Sequence, residues 1–69
     1  LPGVRIYGAN GKLHYHVNEG TTLTVMDETG TTISHMTVDD SGTIDIPRCG
    51  VYLIKADIGH KTQTFKVIL

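Results

Sequence analysis

The side chains able to do chemistry fall into three groups. His14-Tyr15-His16 is the single His-x-His. On a strand, residues two apart share a face, so two imidazoles would stand side by side where a zinc ion could bridge them. A zinc site needs at least a third ligand, and none is near in sequence. The pair therefore reads as two solvent-facing histidines on an exposed strand. Cys49 with His35 or His60 could sketch a thiol nucleophile and its base, but no flanking signature of a thiol enzyme surrounds it. A small, partly buried cysteine beside the turn glycine Gly50 is the expectation. Asp39-Asp40-Ser41-Gly42 has the look of a calcium loop without its alternating Asp/Asn positions and closing Glu. It reads as a hairpin turn with solvated carboxylates. There is no phosphate-cradling glycine loop and no Ser/His/Asp spacing of a hydrolase. No catalytic, cofactor-binding or metal site is expected, and no enzymatic activity.

What must position these residues is a small all-β domain. The 69 residues are enough for one domain, of a size that hides only about 60% of its unfolded surface and so has little stability to spare. Cys49 is the one cysteine, which excludes an internal disulfide. Six Lys+Arg against seven Asp+Glu give a net charge of -1, without the basic stripe that nucleic acid requires. No apolar run reaches the roughly 20 residues of a membrane-spanning helix. Residues 1–11 have neither the charged start nor the apolar core of a secretory signal, so an exported parent would carry its signal upstream.

Thr, Val and Ile recur in short runs, broken by "GANG", "EG", "DETG", "DDSG", "PRCG" and "GH". This spacing predicts strands over Val4–Tyr7, Lys12–Asn18, Thr21–Met26, Thr32–Val38, Thr43–Ile46, Val51–Ile58 and Lys61–Leu69, and no helix. Alternation assigns the faces. Leu13, Tyr15 and Val17 turn inward, as do Leu23 and Val25, then Tyr52, Ile54, Ala56 and Ile58, and finally Phe65, Val67 and Leu69. Lys12, His14 and His16 turn out, as does Lys66 with Thr64 and Ile68. The fourth strand breaks phase between Ile33 and Met36, which a one-residue bulge near Ser34–His35 would repair, most easily on an edge strand. Seven short strands with one buried face each predict an immunoglobulin-like sandwich of two antiparallel sheets. "GVY" fits a tyrosine corner, the Tyr52 hydroxyl reaching back to backbone near a Greek-key crossover. It fits equally a half-buried strand aromatic.

At the level of whole segments the chain resembles a known family. "LTVMDETGTTI" resembles the strand–turn–strand with an Asp-x-x-Gly turn of the C-terminal sorting domains of type IX secretion cargo. "TIDIPRCGVYLIKAD" is similar to that family's apolar strand, turn and Gly-x-Tyr strand, and "KTQTFKVIL" to its closing strand. The match runs in order from about Val4 to Leu69. By position, Asp27 and Gly30 fall on the turn, Gly50 and Tyr52 on the Gly-x-Tyr pair, and Lys66, Val67, Ile68 and Leu69 on the terminal signal read by the translocon.

The resemblance implies a non-catalytic domain ending a larger protein exported across the outer membrane of Bacteroidetes-type bacteria. Such cargo passes through the periplasm, is recognised by the type IX translocon, and reaches the cell surface or the medium. A surface sortase commonly removes the domain and joins the cargo to lipopolysaccharide. No membrane insertion and no nucleic acid are implied. Two positions depart from the pattern: Thr31 stands where the family has Arg or Lys, and "GANG" stands where a Pro-x-Pro-like segment usually opens the domain. The first removes any contact that basic side chain would make, and the second fits an atypical member retained on its parent instead of being cleaved. The rival is a generic immunoglobulin-like spacer or carbohydrate-binding module of a surface protein. One Phe, three Tyr and no Trp make a poor sugar platform.

Overall fold

The computed structural model describes residues 4–17 and 20–69. Seven strands follow in chain order: β1 (Val4–Ala9), β2 (Lys12–Val17), β3 (Thr21–Asp27), β4 (Thr32–Val38), β5 (Gly42–Asp45), β6 (Val51–Ile58) and β7 (Lys61–Ile68). There is no helix among the described residues. The expected end of the second strand, Asn18, lies outside them.

Strand β1 runs two residues further than its hydrophobic pattern. The turn that follows needs only Asn10 and Gly11, with φ of 55° and 73°, the conformation of the tightest hairpin turn. Gly8 and Ala9 therefore stay in the ladder, opposite Leu13 and Lys12. Conversely, β5 is registered over Gly42–Asp45, so Ile46 follows the strand instead of ending it.

The strands form two antiparallel sheets, β1-β2-β5 and β4-β3-β6-β7. This is the expected immunoglobulin-like sandwich, with its fourth strand on the larger sheet. In the constant-type immunoglobulin order the fourth strand pairs instead with the fifth. The difference overturns the reading of Asp39–Gly42 as a hairpin turn. Because β4 pairs with β3 and β5 with β2, that segment carries the chain from one sheet to the other. Asp39 and Asp40 are exposed in it, as expected.

The bulge exists, one residue upstream of its expected place. Val25 stands opposite Ser34 and Met26 opposite Thr32, so Ile33 is the extra residue. It does not return Ile33 to the core: the side chain is 41% exposed. Strand β4 is an edge strand, where solvent accepts an out-of-phase side chain without a buried vacancy being left.

The core is a single cluster drawn from both sheets. Ile6, Leu13 and Ile44 face Leu23, Val25, Tyr52, Ile54, Ala56 and Val67, with Phe65, Met36 and Leu69 packed at its margin. Burying each Val, Leu or Ile fully is worth roughly 1.5–3 kcal/mol. The two sheets approach each other where Gly8 faces β7. A Cβ there would collide with the Leu69 side chain and lie 2.8 Å from Val67 Cγ1, so the missing side chain is the socket that Leu69 fills.

Gly8→Ala should therefore lower stability by about 1–3 kcal/mol, the usual cost of overpacking, read as a lower urea midpoint at unchanged slope. An unchanged midpoint would mean that the socket constrains nothing.

Candidate functional site

The residues placed on the Asp-x-x-Gly turn, the Gly-x-Tyr pair and the terminal segment come together at one end of the larger sheet. Cross-strand register sets this up: Asp27 lies opposite Tyr52, and Tyr52 opposite Val67. The sequence-derived positions are thus three neighbouring strands of one sheet.

The tyrosine corner is present. The Tyr52 hydroxyl donates to the Arg48 carbonyl at 2.8 Å, and the ring is buried. It fixes the Pro47–Gly50 loop at the crossover from the smaller sheet into β6. Gly50, two residues earlier, holds the end of the chain: its N–H donates to the Leu69 carbonyl at 3.0 Å, and the Leu69 N–H donates back at 2.9 Å. The Gly-x-Tyr pair thus ties down a loop with one residue and the last strand with the other.

Asp27 organises the adjoining turn. Its carboxylate accepts from the Thr29 N–H at 2.9 Å, the Thr29 hydroxyl at 2.6 Å and the Thr31 N–H at 3.0 Å. Backbone bonds from Asp27 N to Thr31 O and from Gly30 N to Asp27 O close the loop. The Thr31 hydroxyl lies 3.0 Å from that of Thr29. The Thr29 hydroxyl bond is the largest influence holding the Asp27 carboxyl below its ordinary value. Partial desolvation opposes it, and the Thr31 and Thr29 N–H groups and the Arg48 charge reinforce it. Between the turn and the corner lies a groove of about 360 Å³ that includes Ile33, Arg48 and Cys49.

Cys49 is exposed in that groove, which corrects the expectation of a partly buried thiol. The loop is anchored through the Arg48 carbonyl, so the sulfur need not be buried to hold it. The structure does not assemble a thiol–imidazole pair. His35 lies mid-strand on the outer face, 3.0 Å from the Thr24 hydroxyl. His60 is in the β6–β7 turn, the whole length of β6 away, about 25 Å at strand rise. Among the described residues no three His, Cys, Asp or Glu gather where they could hold a metal.

The terminal segment divides by face. Val67 is buried and Leu69 half-buried, whereas Lys66 is exposed and Ile68 is 72% exposed. Lys66 lies opposite Leu53, which pairs across with Met26, and Ile68 lies opposite Val51. These half-buried apolar neighbours extend the exposed row inward across the sheet. His14 and His16 lie elsewhere, on the outer face of the smaller sheet. The register of that hairpin sets Arg5 and Tyr7 beside them, a neighbourhood that alternation and the Asn10-Gly11 turn encode but that the histidine spacing alone does not reveal.

Fold and corner together define a small Greek-key β-sandwich module whose last strand is clamped at its final residue. Comparison with protein-family models, with curated proteins and with solved structures gave no match to the chain.

Tyr52→Phe removes one part-buried hydrogen bond and should cost about 1 kcal/mol, seen as a lower urea midpoint. An unchanged midpoint would reduce the corner to a packing contact. The Asp27 carboxyl is held low in the folded state, so its stabilisation is present above the ordinary unfolded value and is lost as pH falls through the folded one. The stability gap between the native chain and Asp27→Asn should accordingly be open at neutral pH and close only on acidification below about pH 4, the ordinary carboxylate value. A gap that stays constant across that range would contradict the assignment.

Proposed function

We propose that this domain is a non-catalytic C-terminal sorting signal, read by the type IX outer-membrane translocon while its parent is in the periplasm. The parent is then delivered to the cell surface, with sortase-linked attachment to lipopolysaccharide as its end point. The reading rests on the resemblance of three ordered segments and on one observation that carries it. The terminal strand is both fixed and legible: Gly50 and the Gly8 socket immobilise Leu69, while Lys66 and Ile68 stay exposed. A segment that must be read by a partner gains from being ordered beforehand, because binding then costs little conformational entropy. Val67 and Leu69 present the strand, and Lys66 and Ile68 are the side chains offered to the partner. Strand β7 is also at the end of its sheet, so its backbone edge suits a partner that adds a strand.

The test separates reading from folding. In the full-length exported protein, Lys66→Ala with Ile68→Ser alters only the outward row and should change stability by no more than about 0.5 kcal/mol per site. Expected is a folded parent that accumulates in the periplasm. Normal surface delivery of this variant would overturn the proposal and leave a spacer or surface-binding module as the reading.

A further inference from the structure

The outer face of the smaller sheet carries a second, separate grouping. Antiparallel register puts Arg5 opposite His16 and Tyr7 opposite His14, with Thr43 opposite His14 on its other side. With Ser41 they line an open groove of about 510 Å³, and no carboxylate lines it. In a chain of net charge -1 this is a local concentration of donors.

The donors are held in place before any ligand arrives. The His14 ring stacks on Tyr7 with centroids 5.0 Å apart and planes 5° from parallel. The Arg5 guanidinium carbon is 5.8 Å from the same Tyr7 ring, within cation–π range. His16 Nδ1 is 2.5 Å from the Ser41 hydroxyl. His14 Nε2 is 3.3 Å from the Ala9 carbonyl. A carbonyl only accepts, so Nε2 carries the hydrogen and Nδ1 is left as a bare lone pair in neutral imidazole. Only the imidazolium can donate from Nδ1.

We infer that this groove binds a tetrahedral oxyanion, the phosphate or sulfate group of an ester, and that binding is coupled to protonation of His14. An Arg fork, two imidazoles and two hydroxyls present donors from several directions, which suits a group with several acceptor oxygens. The fixed charges near His14, Arg5 and Lys12 against Asp45 and Asp40, cancel, so a net positive groove requires a protonated imidazole. Lys12 and Asp45, one row along the sheet, pair with each other at 3.6 Å. Asp40, beyond Ser41, accepts the Ser41 N–H at 2.8 Å. The site is on the opposite sheet from Lys66 and Ile68 and does not depend on the sorting reading.

Sulfate is the cleaner probe, because phosphate monoesters change their own charge near pH 6. The ¹⁵N-labelled chain is titrated with sodium sulfate against chloride at equal ionic strength. Saturable shifts are expected at Arg5, His14, His16 and Thr43, with affinity at least about tenfold higher near pH 5.5 than near pH 7.5, because only the imidazolium donates from His14 Nδ1. Arg5→Ala should weaken binding at least about tenfold, the loss of a charge-assisted hydrogen bond, and His14→Gln should remove most of the pH dependence. Thermal unfolding of each variant verifies that it is folded at the temperature used. Shifts that match chloride, fail to saturate, or are insensitive to Arg5→Ala would overturn the site. Equal affinity at the two pH values would overturn the coupling. Glucose 6-phosphate and glucose 6-sulfate distinguish the two ester sources, and tighter binding of glucuronate than of either would refute the tetrahedral preference.

Discussion

A sandwich of this size has to close along its sides as well as through its middle, and here one side closes at Leu69. The paired bonds between Gly50 and Leu69 extend the β6–β7 ladder to the last residue, and the Leu69 side chain enters the space left by Gly8 on the other sheet. One residue thus joins the two sheets, the final strand and the crossover loop. The corner bond from Tyr52 to Arg48 keeps that loop where Gly50 can act. Without the loop in place the terminal strand would lose its last two backbone bonds, and Val67 its shelter on one flank.

The sandwich's two outer surfaces have different characters because their residues solve different problems. On the larger sheet, threonines fill successive outward positions, with Thr22 near Thr37 at 3.3 Å and Thr62 donating to Asp57 at 2.6 Å. These are short, β-branched side chains suited to pleated, half-exposed surface. This surface turns apolar around Leu53 and Ile68, and again at Ile33 on the opposite edge. The smaller sheet instead carries Arg5, Tyr7 and His14 outward, gathered around the Tyr7 ring, and leaves its inner face to Ile6, Leu13, Tyr15 and Ile44.

Most of this was legible in the residues themselves. Alternation in "KLHYHV" and "VYLIKADI" assigned faces correctly, because a strand with one buried side leaves its period in the sequence. The Gly-x-Tyr pair allowed the corner and a plain strand aromatic equally, and burial decides between them, since a large aromatic with a hydroxyl needs a polar partner when buried. What failed had non-local causes. Pairing of β4 with β3, which makes Asp39–Gly42 a crossover, depends on which sheet the fourth strand joins, and short-range pattern is silent on that. Ile33 looked like a core residue because hydrophobicity does not say whether a strand is at an edge. Cys49 looked half-buried because its type favours burial, while its loop is held by backbone. Gly8 looked like part of a turn; its role is visible only once Leu69 is brought against it.

The bulge at Ile33 has a consequence for assembly. Among the described residues the larger sheet has two outer strands, β4 and β7. Bulges disturb the regular row of donors and acceptors that a foreign strand would need, and so blunt an edge. Edge-to-edge growth into a filament requires two receptive edges on each copy, one to give and one to take. With β4 irregular and β7 regular, this sheet has a single receptive side. An incoming strand at β7 would cap it, so contact through this sheet would terminate instead of propagating.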